Sequence, residues 1–315
     1  MVTIETFTHT TAMKIHPFVL NQILFALHGL IDTNQNMGSL AHQVASSQTY
    51  VVAPTLGVVN TLFEIEPLVD YVEHIATQIF QEYPDLPARI IAHSLGGVIW
   101  VEVLSRHPEW WPRFESMVLL GSPLGGADLA KIVDPFGWGI GMAKYLGQNR
   151  RVLAEQITAE IPTLVIAGNS TGGGDGTVPI ESTKLKYTYF VCLDGIDHSA
   201  LKTHPAVIKT IQDFWSAPRS PIPIVEDSLI LKLIEHFRSV PGITDASQRD
   251  FAQSKPVFSF AEGTSIRSWK NPVGVDHVFI ANPYGKCEYA AFVGWVHSSA
   301  LEQAIHTAIQ IYSDV

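Results

Sequence analysis

One serine of this sequence lies where its hydroxyl could act as a nucleophile. Residues 90–98 read IIAHSLGGV, and the pattern predicts a strand that ends just before Ser94 and a helix that begins at Leu95. A serine on such a sharp turn projects its hydroxyl above the sheet, provided that small residues stand two positions away on either side. Ala92 and Gly96 meet that condition. The first N–H groups of the helix could stabilise a negative charge that develops on a substrate oxygen.

The same segment resembles the nucleophile elbow of lipases and esterases of the α/β-hydrolase fold, whose pattern is Gly-x-Ser-x-Gly. Ala92 replaces the first glycine, a departure of one methyl group that some bacterial lipases share. His93, beside Ser94, belongs to the motif as a supporting residue. The resemblance implies a mostly parallel sheet with helices on both faces, and a catalytic serine, acid and histidine that follow in that order along the chain.

Two further segments match this order. Residues 173–179, GGDGTVP, are similar to the Asp-Gly-x-Val-Pro segment of lipase-like hydrolases, which implies that Asp175 orients the imidazole. His198 follows the next predicted strand and would be the general base. The alternatives are a Gly-Asp turn for Asp175 and a surface loop for His198, with Asp194 and Asp197 as substitute acids. Each matched residue follows a separate predicted strand, at the edge where open α/β sheets bind ligands.

A His-Gly pair follows the predicted strand 23–27. In lipases of this fold such a pair precedes a residue whose backbone N–H contributes to the oxyanion hole, which implies Leu30 here, with the N–H of Leu95 as the second donor. We expect His28 and Gly29 to support this loop. The other interpretation of His28 is a loop histidine that bonds to a nearby backbone group.

Ser122, in a Gly-Ser-Pro segment that also resembles lipase-like proteins, is interpreted as a turn residue. Residues 124–160 interleave aromatic and apolar residues with glycines. The segment could form a small lid over an acyl pocket or an ordinary helix that packs on the core, and the sequence favours neither.

Strands and helices alternate along the first two thirds of the chain, which predicts βα units and a parallel sheet. We therefore expect residues 1–217 to form an α/β catalytic domain. The predicted strands are 23–27, 50–53, 88–92, 116–120, 163–167 and 187–193, and the predicted helices are 68–80, 95–105 and 205–215.

Three prolines within residues 218–223 predict a linker. Beyond it, residues 224–315 are expected to form a small α+β module of unknown role, which could form a homo-oligomer, bind a partner or wall off part of the active-site mouth. Its predicted elements are helices at 229–237 and 301–311, strands at 257–260, 275–281 and 289–296, and a turn at 282–285.

Composition excludes several classes of function. The net charge is −10 and Lys/Arg clusters are absent from the sequence, which disfavours nucleic acids and anionic lipid surfaces as partners. No CxxC or other metal signature is found, and Cys192 and Cys287 are predicted to be buried in strands. No apolar run reaches the ~18 residues that span a bilayer, and no basic leader precedes the first strand, so a cytoplasmic protein is expected.

The resemblance implies hydrolysis of a carboxylic ester with an apolar acyl group, through an acyl-enzyme on Ser94 and without a cofactor. The substrate would be a small-molecule or lipid ester. An acyltransferase or thioesterase would use the same residues. A binding protein without catalysis, on the same scaffold, is the alternative from a different class.

Overall fold

Six strands form one parallel sheet in the structure, a computed structural model that describes residues 20–57, 64–126, 149–217 and 228–313. The order across the sheet is β2-β1-β3-β4-β5-β6. The strands are β1 (Gln22–Leu27), β2 (Thr49–Val52), β3 (Ala88–His93), β4 (Phe114–Leu120), β5 (Thr163–Asn169) and β6 (Thr188–Asp194). Each lies within two residues of its predicted bounds, and the predicted parallel sheet is confirmed.

Helices cover both faces of this sheet. Side chains of a strand alternate between faces, so in β1 Phe25 enters one core while Leu24 and Ala26 enter the other. The helices on the first face are α2 (Glu66–Glu82), α3 (Leu95–Arg106) and α4 (Arg151–Glu160), and those on the second are α1 (Asn34–Val44) and α6 (Pro205–Ser216). A single turn, α5 (Ile180–Thr183), precedes β6. Burial on both faces explains why the strands read as continuous apolar runs.

Three of these helices were not predicted: α1, α4 and the single turn α5. In α1 only Met37, Leu40 and Ala41 are buried, so the apolar stripe is narrow. Helix α4 lies inside the segment 124–160, for which a lid and a core helix were both open, and Ala154 and Ile157 pack into the sheet core. That part of the segment is therefore a core helix. Residues 127–148 of the segment lie outside the described residues.

A second sheet, antiparallel throughout, lies near the C-terminus with the order β7-β11-β10-β9-β8. Its strands are β7 (Ile243–Asp245), β8 (Lys255–Ser259), β9 (Ser265–Lys270), β10 (Asp276–Ala281) and β11 (Cys287–Val293). Helices α7 (Leu229–Arg238) and α8 (Ser298–Tyr312) share a hydrophobic core with this sheet. The α+β class is confirmed. The predicted linker, 218–223, lies outside the described residues.

Apolar patterns in the sequence predict three of these five strands, β8, β10 and β11. Strand β7 is only three residues long, and β9 (SIRSWK) is largely polar, so neither shows a recognisable apolar pattern. The strand predicted at 289–296 ends at Val293, and a 3₁₀ turn follows at Trp295–His297. The predicted turn at 282–285 is present, with the N–H of Gly285 donating to the Asn282 carbonyl.

One prediction about the cysteines was wrong. Cys287 is buried as expected, but Cys192 is exposed. Cys192 lies on β6, the edge strand of the parallel sheet. An edge strand has a neighbour on one side only, so an apolar run there does not guarantee burial.

Candidate active site

Ser94 has a strained backbone at the junction of β3 and α3, with φ 53° and ψ −122°. A positive φ at a non-glycine residue costs about 1–3 kcal/mol and persists only where its surroundings enforce it. Here the Ser94 N–H donates to the Leu120 carbonyl (2.9 Å), and the Ser94 carbonyl accepts from the Gly97 N–H (3.1 Å). Ser94 is therefore fixed to the end of β4 on one side and to the first turn of α3 on the other.

Small residues allow this turn to pack closely. A Cβ on Gly96 would lie 2.7 Å from the backbone oxygens of Leu27 and His28, and a Cβ on Gly29 would lie 2.8 Å from Cβ of Ser94. Neither contact is possible in a relaxed structure. The glycine two positions after the serine, a requirement stated from the sequence, thus has a direct steric cause at the end of β1.

Asp175 and His198 form a hydrogen-bonded pair. The Nδ1–H of His198 donates to Oδ2 of Asp175 at 2.6 Å, and the backbone N–H of His198 donates to the Asp175 carbonyl at 3.0 Å. Oδ1 of Asp175 accepts the N–H groups of Thr177 (2.9 Å) and Val178 (2.7 Å). The carboxylate is buried and held at both oxygens, which leaves Nε2 of the imidazole to exchange a proton with another group.

The substitute acids lie in other interactions. Oδ1 of Asp194 accepts from the side-chain amide of Asn169 at 2.7 Å. Oδ1 of Asp197 accepts from the Ala200 N–H and the Ser199 hydroxyl, and these bonds lower the pKa of the Asp197 carboxyl. Of the three aspartates considered, the structure brings Asp175 to His198.

The Asp175–His198 pair packs against the end of β4, where Leu120 accepts the Ser94 N–H. A Cβ on Gly121, the residue after β4, would lie 3.0 Å from Oδ2 of Asp175 and 3.1 Å from Nδ1 of His198. The ring of His93 lies 4.6 Å from the ring of His198, and its Nε2–H donates to the His198 carbonyl at 2.9 Å. The three loops after β3, β5 and β6 thus meet at one edge of the sheet.

Two buried histidines shape this edge in the neutral form. Burial lowers the pKa of His93 well below its ordinary value, and His198 and Lys202 lower it further. Burial also lowers the pKa of His28, although its bond to Gly29 opposes that shift. Neither ring is available as a cation near neutral pH, so both act through fixed hydrogen bonds.

His28 determines how the following peptide group is oriented. Its Nδ1–H donates to the Gly29 carbonyl at 2.9 Å, and its Nε2 accepts the Leu56 N–H at 2.9 Å. The N–H of Leu30 belongs to the same trans peptide as the Gly29 carbonyl, so it points to the opposite side. Leu95 is the first residue of α3, where helical N–H groups have no intrahelical partner. The two predicted oxyanion donors thus belong to the loop after β1 and to the first residue of α3.

Two features of the His28 loop have no signal in the sequence pattern. Ile31 has φ 50°, a left-handed conformation that is rare for a β-branched residue. Asp32 pairs with Lys202 (2.5 Å), and both side chains are largely buried. This ion pair connects the loop after β1 to the segment after His198. Nothing in the local sequence pattern signals a pair 170 residues apart.

Ser122 is a buried residue whose Oγ faces Gly97 of α3. It follows β4 in a tight turn, as predicted. The structure thus distinguishes the two serines that follow neighbouring strands: Ser94 carries the strained backbone and Ser122 does not.

The described residues contain neither a metal site nor a helix that could span a membrane. Across the described ranges, no three His, Cys, Asp or Glu side chains come together in a way that could hold a metal ion. None of the helices described above is long and apolar enough to cross a membrane.

Comparison with solved structures gives several similar folds. The lipase BlEst2 of Bacillus licheniformis in its propeptide form matches with a TM-score of 0.52 and 15% identity, over 87% of this chain and 68% of that chain. Its mature form matches with a TM-score of 0.49 and 18% identity, over 63% of this chain and 91% of that chain. A thermostable carboxyl esterase of Bacillus coagulans matches with a TM-score of 0.46 and 12% identity, over 64% of this chain and 90% of that chain. No protein-family model and no curated protein matches the sequence.

The parallel sheet, the strained turn at Ser94 and the match to the propeptide form together define the class: the chain has an α/β-hydrolase fold. The match covers 87% of the chain, more than the residues before 218 supply, so the similarity extends into the C-terminal module.

Proposed function

We propose that this protein hydrolyses carboxylic esters with an apolar acyl group through an acyl-enzyme on Ser94. The observation that carries the proposal is the buried Asp175–His198 hydrogen bond, at the same sheet edge as a serine with φ 53°. A buried carboxylate bonded to Nδ1 keeps the imidazole in the tautomer that can accept a proton at Nε2. A surface loop histidine or a simple Gly-Asp turn has no need of this arrangement.

In the proposed reaction Nε2 of His198 takes the proton of Ser94 as Oγ attacks the ester carbonyl carbon. The oxyanion that forms is stabilised by the N–H groups of Leu30 and Leu95, each worth about 3 kcal/mol in the transition state. The carbonyl re-forms, and the alcohol leaves with the proton held by His198. Water then gives a proton to His198 and attacks the acyl group, and the acid departs as the proton returns to Ser94.

The proposal is tested with p-nitrophenyl esters of increasing acyl length and with a fluorophosphonate probe that labels activated serines. We expect ester turnover, and labelling that Ser94→Ala removes completely. His198→Ala should slow labelling strongly, because the serine then lacks its base.

Ser122→Ala is the matched control, since it removes a hydroxyl of the same type after the neighbouring strand. That hydroxyl is buried and has no hydrogen-bond partner among the described residues, so its removal should leave turnover and labelling unchanged. A chain in which Ser94→Ala still labels as wild type does not use Ser94, and the proposal is then wrong.

Transfer of the acyl group to an acceptor other than water would use the same residues. Product analysis with an added alcohol or thiol separates hydrolysis from transfer. A binding protein without catalysis would neither turn over an ester nor label at Ser94.

A further inference from the structure

The C-terminal module contacts the hydrolase part of the chain directly behind the loop that carries Asp175. This acid loop, residues 171–179, closes on itself: the N–H of Ile180 donates to the Gly173 carbonyl (3.0 Å), and Gly174 bridges to Pro179. Helix α5 follows without a break. Whatever fixes α5 therefore fixes the base of the acid loop.

Two arginines hold α5 through the same residue. Nη2 of Arg151 donates to the Glu181 carbonyl at 3.0 Å. Arg238 of the module pairs with the Glu181 carboxylate at 3.3 Å. The Glu181 side chain is buried, and its other oxygen accepts from Lys184 at 2.6 Å.

A second module residue completes the network. Asp245, which is fully buried on β7, pairs with Arg151 and accepts the hydroxyl of Tyr289 at 2.8 Å. Gly125 leaves room for this pair, because a Cβ there would collide with both the guanidinium and the carboxylate. The N–H of Gly125 also donates to the Ser182 carbonyl at 2.7 Å, which ties α5 to the chain after β4.

Buried ion pairs of this kind contribute little net stability, because desolvation offsets most of their attraction, but they can specify one geometry. The network joins both parts of the chain at α5. Between the acid loop and the module a cavity of about 270 Å³ remains, lined by Gly173 and Gln248 among others. The module therefore packs more closely against the base of the acid loop than against its tip.

We propose that the module is a positioning element for catalysis, in which Arg238 and Asp245 hold α5 and thereby the acid loop in the geometry that Asp175 needs. The inference rests on the proposed function of Asp175. Arg238 touches neither His198 nor Ser94, so it acts on the reaction only through the loop. It makes the C-terminal region part of the active enzyme, even though its own sheet supplies no group to the Asp175–His198 pair.

The test is Arg238→Gln in the full chain, assayed with a p-nitrophenyl ester. Misplacing a catalytic group by about 1 Å can cost about 100-fold in rate. We expect kcat to fall 10-fold to 100-fold with KM nearly unchanged, because the acid acts on the transition state. Arg238→Lys should recover part of the loss, since it restores the charge.

Lys186→Gln is the matched control. Lys186 also pairs across the interface between the two parts of the chain, with Glu235 of α7, but its side chain is exposed and its partner is not Glu181. Glu235 also contacts Arg238 at 3.4 Å, and that contact is kept in Lys186→Gln. We expect kcat within twofold of wild type, because exposed pairs contribute little.

The decisive measurement places Arg238→Gln in an Asp175→Asn background. If the module acts through Asp175, the second change lowers kcat no further. An equal fold-loss in both backgrounds, an unchanged kcat in folded Arg238→Gln, or a raised kcat would each overturn the proposal. A raised kcat would mean that the module restrains the site. If Asp175→Asn alone leaves kcat unchanged, the proposed triad has failed instead.

Thermal melting separates a folding defect from a kinetic one. Should Arg238→Gln fail to fold, Glu181→Gln removes the charge of the same contact from the other side, keeps a hydrogen-bond acceptor, and is judged by the same criteria.

Discussion

The two sheets use their loops in opposite ways. In the parallel sheet every strand ends at the same edge, so the loops after β1, β3, β5 and β6 converge, and their polar side chains bond across loops. Asp175 reaches His198, and Asp32 reaches Lys202. Residues far apart in sequence are thereby brought to one place.

In the antiparallel sheet neighbouring strands end at opposite edges, and the polar residues of its hairpins serve their own turns. Oδ1 of Asn271 accepts the N–H groups of Val273 and Val275, and Oδ1 of Asn282 accepts those of Tyr284 and Lys286. Two of its buried polar groups, Asp245 and Tyr289, belong to the network at the interface with the first part of the chain. Strand direction thus decides whether loop residues can form a shared site. The antiparallel sheet is suited to supporting the site of the parallel sheet rather than forming one of its own.

The largest effect is expected from Asp175→Asn, which replaces the carboxylate that faces His198. The amide can present the wrong group to Nδ1, and comparable changes cost about 10⁴ in turnover. Steady-state ester hydrolysis measures it.

Asp197→Asn provides the comparison, because Asp197 is adjacent to His198 in sequence but caps the turn that follows. We expect its kcat to stay within a few fold of wild type. The reverse ranking of the two variants would assign the acid to Asp197.

A smaller effect is expected from Gly121→Ala. The added methyl group would lie against the Asp175–His198 pair, and displacement of about 1 Å can cost about 100-fold in kcat. Gly195→Ala is matched in backbone strain, with φ 74° against 54°, but its Cβ would meet no atom within 4 Å. Both variants should lose stability, as circular dichroism melts would record, and only Gly121→Ala should lose activity. Equal activity of Gly121→Ala and Gly195→Ala would contradict the packing of the Asp175–His198 pair against the end of β4.

The pH dependence of stability should reflect His28 and His93, which lie in the parallel-sheet region. Their pKa values are lowered in the folded state, so on acidification the unfolded chain binds protons that the folded chain does not. The contribution of the two histidines is fully present above the unfolded pKa of about 6.5 and is lost as the pH falls below that value.

Urea unfolding at pH 7.5 and 5.5 measures this loss. His28→Gln should reduce it, whereas His306→Gln, at an exposed position of α8, should leave it unchanged. If the stability of His28→Gln falls as much between pH 7.5 and pH 5.5 as that of the wild type, His28 does not contribute to the pH dependence.

The smallest effect concerns the cysteines, one in each sheet. Burial raises the pKa of the Cys287 thiol to about 12, and Cys192 is exposed on an edge strand. A maleimide reagent should therefore modify one thiol per folded chain, and Cys192→Ser should abolish the reaction. Rapid modification of Cys192→Ser would indicate that the second sheet opens readily.

Much of the first region could be predicted because its signals are local. Apolar runs and the Ser94 turn predicted the six parallel strands to within two residues of their observed bounds. The signal fails where an element depends on its neighbours: α4 packs on the sheet although its segment suggested a lid equally well, and β7 is too short to show a pattern. The homo-oligomer and the domain boundary at 218–223 stay predictions.

The sequence by itself determined the backbone of the site: a strand, a serine and two small neighbours that permit a strained turn. Only the tertiary structure decided which partners meet. The sequence offered three aspartates as partners of His198. In the structure the partner is Asp175, whose Oδ1 accepts two N–H groups of the 175–178 turn while its Oδ2 faces the imidazole. Likewise Arg151 and Asp245 lie 94 residues apart and meet only once both sheets have formed. Backbone conformation is set by near neighbours in sequence, whereas hydrogen-bond and charge pairing depends on distances that exist only in the folded chain.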